Sequence, residues 1–365
     1  MPKSALIITR ADAAFGHGHL TRSLTLAAAM RGEGVKVEVL LLGDEGALQH
    51  ARARKEPVNF FPSWELRYAM RRSMLSQLLC DLYQGKRPQL AVFDMYDFAD
   101  TYWARRFFSE LFPETAFIGL DIYKRREGEE RPEREAYKPV AFSLIINSLL
   151  APFGAHETQV GGVRALCGTD YLILPPELSQ AAMWQGGGDD ATIPVMLGAS
   201  TRDPHDLAQI KPATLRAVHA LNELTERKFA LLSAYPDALA PLCRENVKPT
   251  RLLTPAKFYE MLAASQCAIV SAGVTLYEAA HLGVPVAVVP AVPHEQVTAR
   301  KFAEAGYGIQ INARGYAASQ IRDALAKLAQ PAFAREQSAA GRKLVDGKGL
   351  ERVMRELRGI VCAND

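Results

Sequence analysis

The sequence predicts a two-domain α/β protein built from two doubly wound, Rossmann-like parallel sheets. Three observations carry this. The chain has 365 residues, too many for one hydrophobic core of ordinary size and enough for two. Short apolar runs alternate with longer amphipathic stretches, the rhythm of βαβ units. That rhythm breaks at a glycine-rich segment, Gln185–Asp190, and then starts again.

Element by element, residues 5–9 (ALIIT) read as a first strand, and 20–34 as a helix closed by Gly34. Strand 35–42, helix 45–54, strand 58–61 and helix 64–84 follow, then strand 90–94, helix 98–111 and strand 115–121. The charged run 124–138 reads as a solvated loop. Residues 141–147 return to strand. After the glycine-rich linker come strand 192–200, helix 203–226, strand 229–234, helix 236–245 and strand 251–253. Helix 256–264, strand 267–273, helix 274–282, strand 284–290, helix 295–305 and strand 308–311 complete the second series, and helices run on to about residue 358. The expected domains are 1–184 and 190–345, with a helix in 346–365 returning to the first.

Composition narrows the function. Hydrophobic residues make up 48% and charged residues 23%, and the net charge is +3 with both signs mixed along the chain. This excludes the electrostatic footprint of a nucleic-acid binder. None of the five cysteines, Cys80, Cys167, Cys243, Cys267 and Cys362, lies in a CxxC pair. They read as reduced thiols, neither a disulfide frame nor a zinc site. No run approaches the roughly 18 apolar residues needed to cross a bilayer. A cytoplasmic monomer without metal or cofactor is expected.

Doubly wound sheets bind ligands at the carboxyl ends of their strands, so two such domains place the expected site in the cleft between them. Between strand one and helix one lies GHGHLTR (16–22). Gly16 and Gly18 let backbone amides approach a ligand, and the helix that follows aims its positive end there. His19 sits at that end, where the dipole disfavours imidazolium and biases the ring toward the neutral form that can act as a base. Arg10 and Asp12 end the strand and could flank it. For His17 and His19 the structural alternative is a polar cap.

In the second half, Ala272, Gly273 and Val274 offer amides and Thr275 a hydroxyl at another helix N-terminus, a geometry suited to diphosphate. Glu278, placed on the first turn, could accept both ribose hydroxyls; its alternative role is compensating the dipole. His294, Glu295 and Gln296 could hold sugar groups or merely cap the next helix. Gly198 and Ser200, in a small-residue turn, sit at another strand end. Asp94 and Tyr96 end a first-domain strand as further sugar contacts, with capping as the alternative for Asp94.

Taken together, RADAAFGHGHLTRSLTLA (10–27), AVFDMYDF (91–98), GLD (119–121), LIINSLL (144–150) and CGTDYLILPPEL (167–178) resemble the hydrolase family of pseudaminic acid biosynthesis, which acts on UDP-2,4-diacetamido-2,4,6-trideoxy-β-L-altropyranose. They also resemble the related spore-coat polysaccharide glycosyltransferase-like proteins. The second half is similar to the UDP-N-acetylglucosamine transferases that make lipid II. The resemblance implies a GT-B fold, no metal, and cleavage of the anomeric C–O bond of a UDP-sugar by water with inversion. It implies that His19 activates the water, that Val274, Thr275 and Glu278 hold diphosphate and ribose, and that backbone near Leu253 reads the base. The loop 294–296 would hold the sugar. Three turns depart from the family pattern: Gly198-Ala199-Ser200-Thr201, Ser271-Ala272-Gly273-Val274-Thr275 and His294-Glu295-Gln296. These departures imply a different sugar or acceptor.

Three functions follow as expectations. The first is a nucleotide-sugar hydrolase. The second is a glycosyltransferase with the same donor site, for which WELRYAMRR (64–72) could be an acceptor patch or simply an amphipathic core helix. The third is a non-catalytic nucleotide-sugar binder.

Overall fold

The computed structural model describes residues 2–12, 17–62, 69–84, 86–95, 98–121, 142–149, 153–160, 162–186, 192–198, 212–233, 235–291, 293–311 and 317–362. The charged run 124–138, most of the glycine-rich segment and most of WELRYAMRR lie outside them. The chain divides into two compact units, Met1–Pro175 with Gly347–Asp365, and Pro176–Asp346.

Among the described residues, the first unit holds an eight-stranded sheet. Its strands are β1 (Ser4–Ala11), β2 (Lys36–Gly43), β3 (Asn59–Phe61), β4 (Leu90–Asp94), β5 (Ala116–Leu120), β6 (Leu144–Asn147), β7 (His156–Val160) and β8 (Val163–Cys167). Their spatial order is β3-β2-β1-β4-β5-β6-β8-β7. Only the β7–β8 pairing is antiparallel. The central strands are apolar runs because both faces of the sheet are covered. In β1, Ala5 and Ile7 enter one core and Leu6 and Ile8 the other. In β4, Leu90 and Val92 divide from Ala91 and Phe93 in the same way. Helices α1 (Gly18–Gly32) and α13 (Gly349–Cys362) cover the first face, while α3 (Ala69–Tyr83) and α4 (Phe98–Leu111) cover the second. The short helix α2 (Glu45–Ala53) begins at Asp44, whose side chain accepts the Ala47 amide at 2.9 Å.

The second unit holds β9 (Ile193–Met196), β10 (Phe229–Ser233), β11 (Val247–Arg251), β12 (Ala268–Val270), β13 (Val286–Val288) and β14 (Ile309–Gln310). Their order is β11-β10-β9-β12-β13-β14, with every pairing parallel. This is the doubly wound order in which the chain reverses direction beside its first strand. The helices that bear on the site are α8 (Pro255–Ala264), α9 (Val274–Leu282) and α10 (Pro293–Glu304).

Three differences from the sequence reading have physical causes. The hairpin partner β7 carries HETQV, polar and exposed from His156 to Gln159, because it is the edge of the sheet. Strand β11 lies at Val247–Arg251 rather than 251–253. It contains Pro249, and only an edge strand tolerates a missing donor. Trp184 belongs to the second unit: its backbone N–H bonds Leu282 O and its indole N–H bonds Ser265 O. The division therefore falls at Pro175/Pro176, ahead of the glycine-rich segment.

The chain's last helix is part of the first unit's core, with Val353, Met354 and Leu357 buried there. Gly349 starts it so tightly against the 169–171 turn that an added Cβ would lie 2.0 Å from Leu172 O. Arg352 donates to Asp170 O at 3.1 Å, and Arg358 pairs with Glu33 at the end of α1. Gly349→Ala is expected to destabilise the first unit by about 1–3 kcal/mol through overpacking. Thermal unfolding measures this, and an unchanged melting temperature would show that the helix start has room to shift.

Candidate functional site

In the first unit the strand order reverses between β1 and β4, and Thr9 sits in register with Asp94 at their carboxyl ends. Helix α1 begins above this point with His17 as its N-cap. Two residues on, His19 is turned inward and is only 8% exposed. Its Nδ1 lies 2.5 Å from Asp94 Oδ1. Arg22 Nη2 is also within 3.2 Å of that nitrogen. A guanidinium can only donate, but a bare Nδ1 lone pair facing a carboxylate this closely would be repulsive. Nδ1 therefore carries the hydrogen and donates it to Asp94. Nε2 becomes the basic nitrogen, as in the His–Asp half of a hydrolase triad.

Asp94 is fully buried. Arg22, one turn after His19 on the same helix face, donates to both its oxygens, with Nε at 2.9 Å from Oδ2. Ser23 adds a hydroxyl at 3.1 Å. Burial alone would push the Asp94 carboxyl up, but the Arg22 charge and the His19 contact override it and hold it well below the usual carboxylate range. For Arg22, burial works against the charge, and the two carboxylates it bridges, Asp94 and Asp121, hold it above the ordinary arginine range.

Asp121 follows β5 in a left-handed backbone conformation, φ +46°, which Asp tolerates better than most residues. Its Oδ1 accepts the amides of Ser148 at 2.6 Å and Leu149 at 2.9 Å. Its Oδ2 accepts the Ser148 hydroxyl at 3.0 Å and Arg22 Nη1. The sequence brings these groups together from α1, β4 and the ends of β5 and β6.

At the mouth of the same strand ends, Arg10 is buried and pairs with Asp12 at 3.2 Å. The His17 ring packs on His50 of α2, centroids 4.7 Å apart, and His50 Nε2 lies 3.0 Å from Thr21 Oγ1. Burial lowers the pKa of His17 against the pull of Asp44 and Asp12. Burial, then His17 and Arg54, push His50 down to about 4. His17 and His19 thus serve separate partners. Among the described residues, no group of three or more His, Cys, Asp or Glu side chains is placed to hold a metal ion.

In the second unit the order reverses between β9 and β12. Gly198 follows β9 with φ +74°. The Ser271 hydroxyl lies 3.7 Å from where a Cβ would stand at either Gly198 or Gly273. Gly273 is the N-cap of α9, and Val274 and Thr275, in its first turn, are half-buried. No acidic residue of α9 itself occupies that turn, and its first N–H groups form the positive end of the helix. Glu295 reaches back from α10: Oε2 accepts the Ala291 amide at 2.6 Å, and Oε1 lies 3.7 Å from the Gly273 Cβ position. Glu278 is buried on the second turn of α9, and Tyr259 of α8 donates to it at 2.8 Å. Burial raises its carboxyl to about 7 despite the Tyr259 hydrogen bond.

No protein-family model matches the chain. It is 28% identical over 229 residues to the spore coat polysaccharide biosynthesis protein SpsG of Bacillus subtilis (strain 168), covering 60% of this chain and 66% of that protein. The match thus spans just under two thirds of the relative's length. The spinosyn rhamnosyltransferase SpnG superposes with a TM-score of 0.62 at 18% identity, covering 97% of this chain and 99% of SpnG. The UDP-GlcNAc 2-epimerase of Methanocaldococcus jannaschii gives 0.61 at 11% identity, covering 97% and 99%. The fold is GT-B.

Within this GT-B chain the sequence-selected residues fall into two groups. His19, Asp94, Arg10 and Asp12 gather at the first unit's strand reversal, with Gly18 exposed at the start of α1. Gly198, Ala272, Gly273, Val274, Thr275 and Glu295 gather at the second unit's reversal. Leu253 is half-buried just past β11 and Gln296 is exposed on α10. Gly16, Tyr96 and Ser200 lie outside the described residues, as does the His294 side chain. Two expectations change. Asp94, read as a sugar contact or cap, is sealed from solvent and grips His19 and Arg22. Glu278 is on the second turn of α9, not the first, and is held by Tyr259 rather than placed against the dipole. Sequence reasoning gave no role to Arg22, Ser23, Asp121, Ser148, Tyr259 or Ser271. Arg22 carried a signal in its one-turn spacing from His19, and Asp121 and Ser271 lie in runs singled out for the family resemblance, GLD (119–121) and the 271–275 turn. The likeness to spore-coat polysaccharide proteins holds.

A buried acid whose folded pKa is raised stabilises the fold only while protonated. In the unfolded chain Glu278 ionises near the ordinary 4.5 of a glutamate, and in the folded one at about 7. Stability therefore falls as pH rises through this window, by on the order of 3 kcal/mol. Glu278→Gln keeps the Tyr259 hydrogen bond and is expected to melt higher than wild type at pH 8 but not at pH 4. Equal melting of both proteins at pH 8 would show that Glu278 carries no such burden.

Proposed function

We propose that this chain transfers a glycosyl group from a nucleotide-activated sugar, a UDP-sugar, to a hydroxyl oxygen deprotonated by His19. The observation that carries this reading is the 2.5 Å His19–Asp94 contact at the start of α1. It orients an imidazole with its basic nitrogen away from Asp94. The acceptor O–H gives its proton to Nε2 as the oxygen bonds to the anomeric carbon. The bond from that carbon to the phosphate oxygen breaks on the opposite side, with inversion, and its electron pair leaves on the nucleoside diphosphate. Asp94 steadies the imidazolium that forms. The diphosphate charge is met by the first-turn N–H groups of α9 with Thr275, an electrostatic role a metal plays elsewhere. Gly198 and Gly273 admit the phosphates, Glu278 takes the ribose hydroxyls, backbone near Leu253 takes the base, and Glu295 and Gln296 face the sugar.

The glycosyltransferase among the similar structures and the polysaccharide relative favour an acceptor hydroxyl. Water as the acceptor, a hydrolase of the pseudaminic acid type, is the second reading. It is favoured by the opening pattern from Arg10 through His19 to Arg22. Either chemistry would serve the supply of precursors for surface polysaccharide.

The test begins with thermal shifts on UDP, GDP, CMP and their sugar conjugates, since a bound ligand stabilises by mass action. Assays of nucleotide release follow, with and without hydroxyl acceptors. Release that needs an acceptor supports transfer, and release in water alone supports hydrolysis. His19→Ala is expected to lower turnover by about 10²–10⁴-fold while the nucleotide shift persists, and Glu278→Ala to weaken that shift. Full activity in His19→Ala would remove the base from this scheme, and binding without turnover under any condition would make the chain a nucleotide-sugar binder.

A further inference from the structure

We infer that Arg22 and Asp121 are positioning residues that set how strongly His19 holds a proton, by leaving the buried cluster one positive charge short of neutral. The inference rests on the reading of His19 as the base. Asp94 and Asp121 are 0% and 2% exposed, and the Arg22 guanidinium between them bridges both. Asp121 accepts four donors, two amides, a hydroxyl and Arg22, which fill the acceptor positions of its carboxylate. Two carboxylates against one guanidinium leave a net charge of minus one away from water. Among the described residues, His19 touches that cluster through Asp94 and can gain a positive charge.

Each partner pulls in a different direction. The Asp94 carboxylate favours the protonated ring across its contact with Nδ1. Arg22 offsets Asp94, but Asp121 draws off part of Arg22. The net result is a cluster that becomes neutral when His19 takes the proton from the attacking hydroxyl. Among the described residues, the other charged and titratable groups on α1 and the elements packed against it include the Arg10–Asp12 pair at the end of β1, Lys36 and Glu38 of β2, His17 at the helix N-cap, Arg31 in its last turn, Asp44, Glu45, His50 and Arg52 of the α2 region, and Glu351, Arg352, Arg355 and Glu356 of α13. The Glu33–Arg358 pair closes the far end of α1.

A residue that only held the fold together would alter stability and leave the proton affinity of His19 alone. The test is NMR titration of the His19 ring in the full ligand-free chain, its signal assigned by its loss in His19→Gln. Arg22→Met leaves two carboxylates uncompensated, so the His19 midpoint should rise. Asp121→Asn leaves Asp94 fully neutralised by Arg22, so the midpoint should fall. Each shift should be about one pH unit or more. In a turnover assay the acid limb of the rate profile should move the same way in each variant. Opposite shifts support the inference; unchanged midpoints, or shifts of one sign, overturn it. If Arg22→Met does not fold, the near-isosteric Asp121→Asn decides alone: a fall supports and no change overturns. The titration needs no substrate. Shifts as expected in a chain that turns over no nucleotide sugar would leave the inference standing and sink the proposed reaction, whereas turnover with unmoved midpoints would do the reverse.

Discussion

Asp94 must stay ionised in a place water does not reach, and the architecture of the first unit follows from that requirement. Taking a carboxylate out of water costs several kcal/mol, recovered only if its oxygens are closely satisfied. Here both are occupied by Arg22, Ser23 and His19. Those donors come from a single turn and a half of α1, which therefore must start directly over the end of β4. Arg22 is itself buried and needs its second carboxylate. Asp121 supplies it at the end of the next strand, in a backbone conformation that most residues avoid. Arg22 is the member on which the others depend, because without it two buried carboxylates face each other with no cation between them.

The second unit solves a similar topological problem with different chemistry. Its strand order also reverses beside its first strand, but there the chain places glycines and backbone amides instead of paired charges. Gly198 and Gly273 flank the Ser271 hydroxyl, and α9 opens without an acidic first turn. The buried acid, Glu278, is set one turn deeper, where burial rather than a charge partner governs it. The first reversal point is thus built from paired charged side chains, and the second from glycines and backbone amides.

These properties were unequally legible in the sequence. Strands β1 and β4 and helices α4 and α9 announced themselves because an apolar run or a helical period is a local signal. The edge strands β7 and β11 did not, since one is polar and exposed and the other contains a proline. His19 could be picked out from its place at a helix start, but the purpose of Asp94 could not. A carboxylate at a strand end looks the same whether it meets a sugar or a histidine 75 residues earlier. Arg22 and Asp121 are 99 residues apart, and only the strand order β1-β4-β5 brings them together. Glu278 is the fifth residue of α9, just past its first turn, and a margin of one residue is finer than spacing in a sequence resolves.

The loop around Glu295 bears on which ligands the second unit can prefer. A helix N-terminus attracts any anion, yet Glu295 holds a carboxylate against Gly273, with one oxygen fixed by the Ala291 amide. A negative group there opposes a bare phosphate approaching the same amides. It favours a ligand that carries hydroxyl donors beside its phosphate, because a carboxylate accepting such a hydrogen bond turns from a repulsive neighbour into a partner. Specificity then arises as much from what the site rejects as from what it holds. On the proposed reading, this carboxylate stands where a sugar hydroxyl, rather than a nucleotide alone, would answer it.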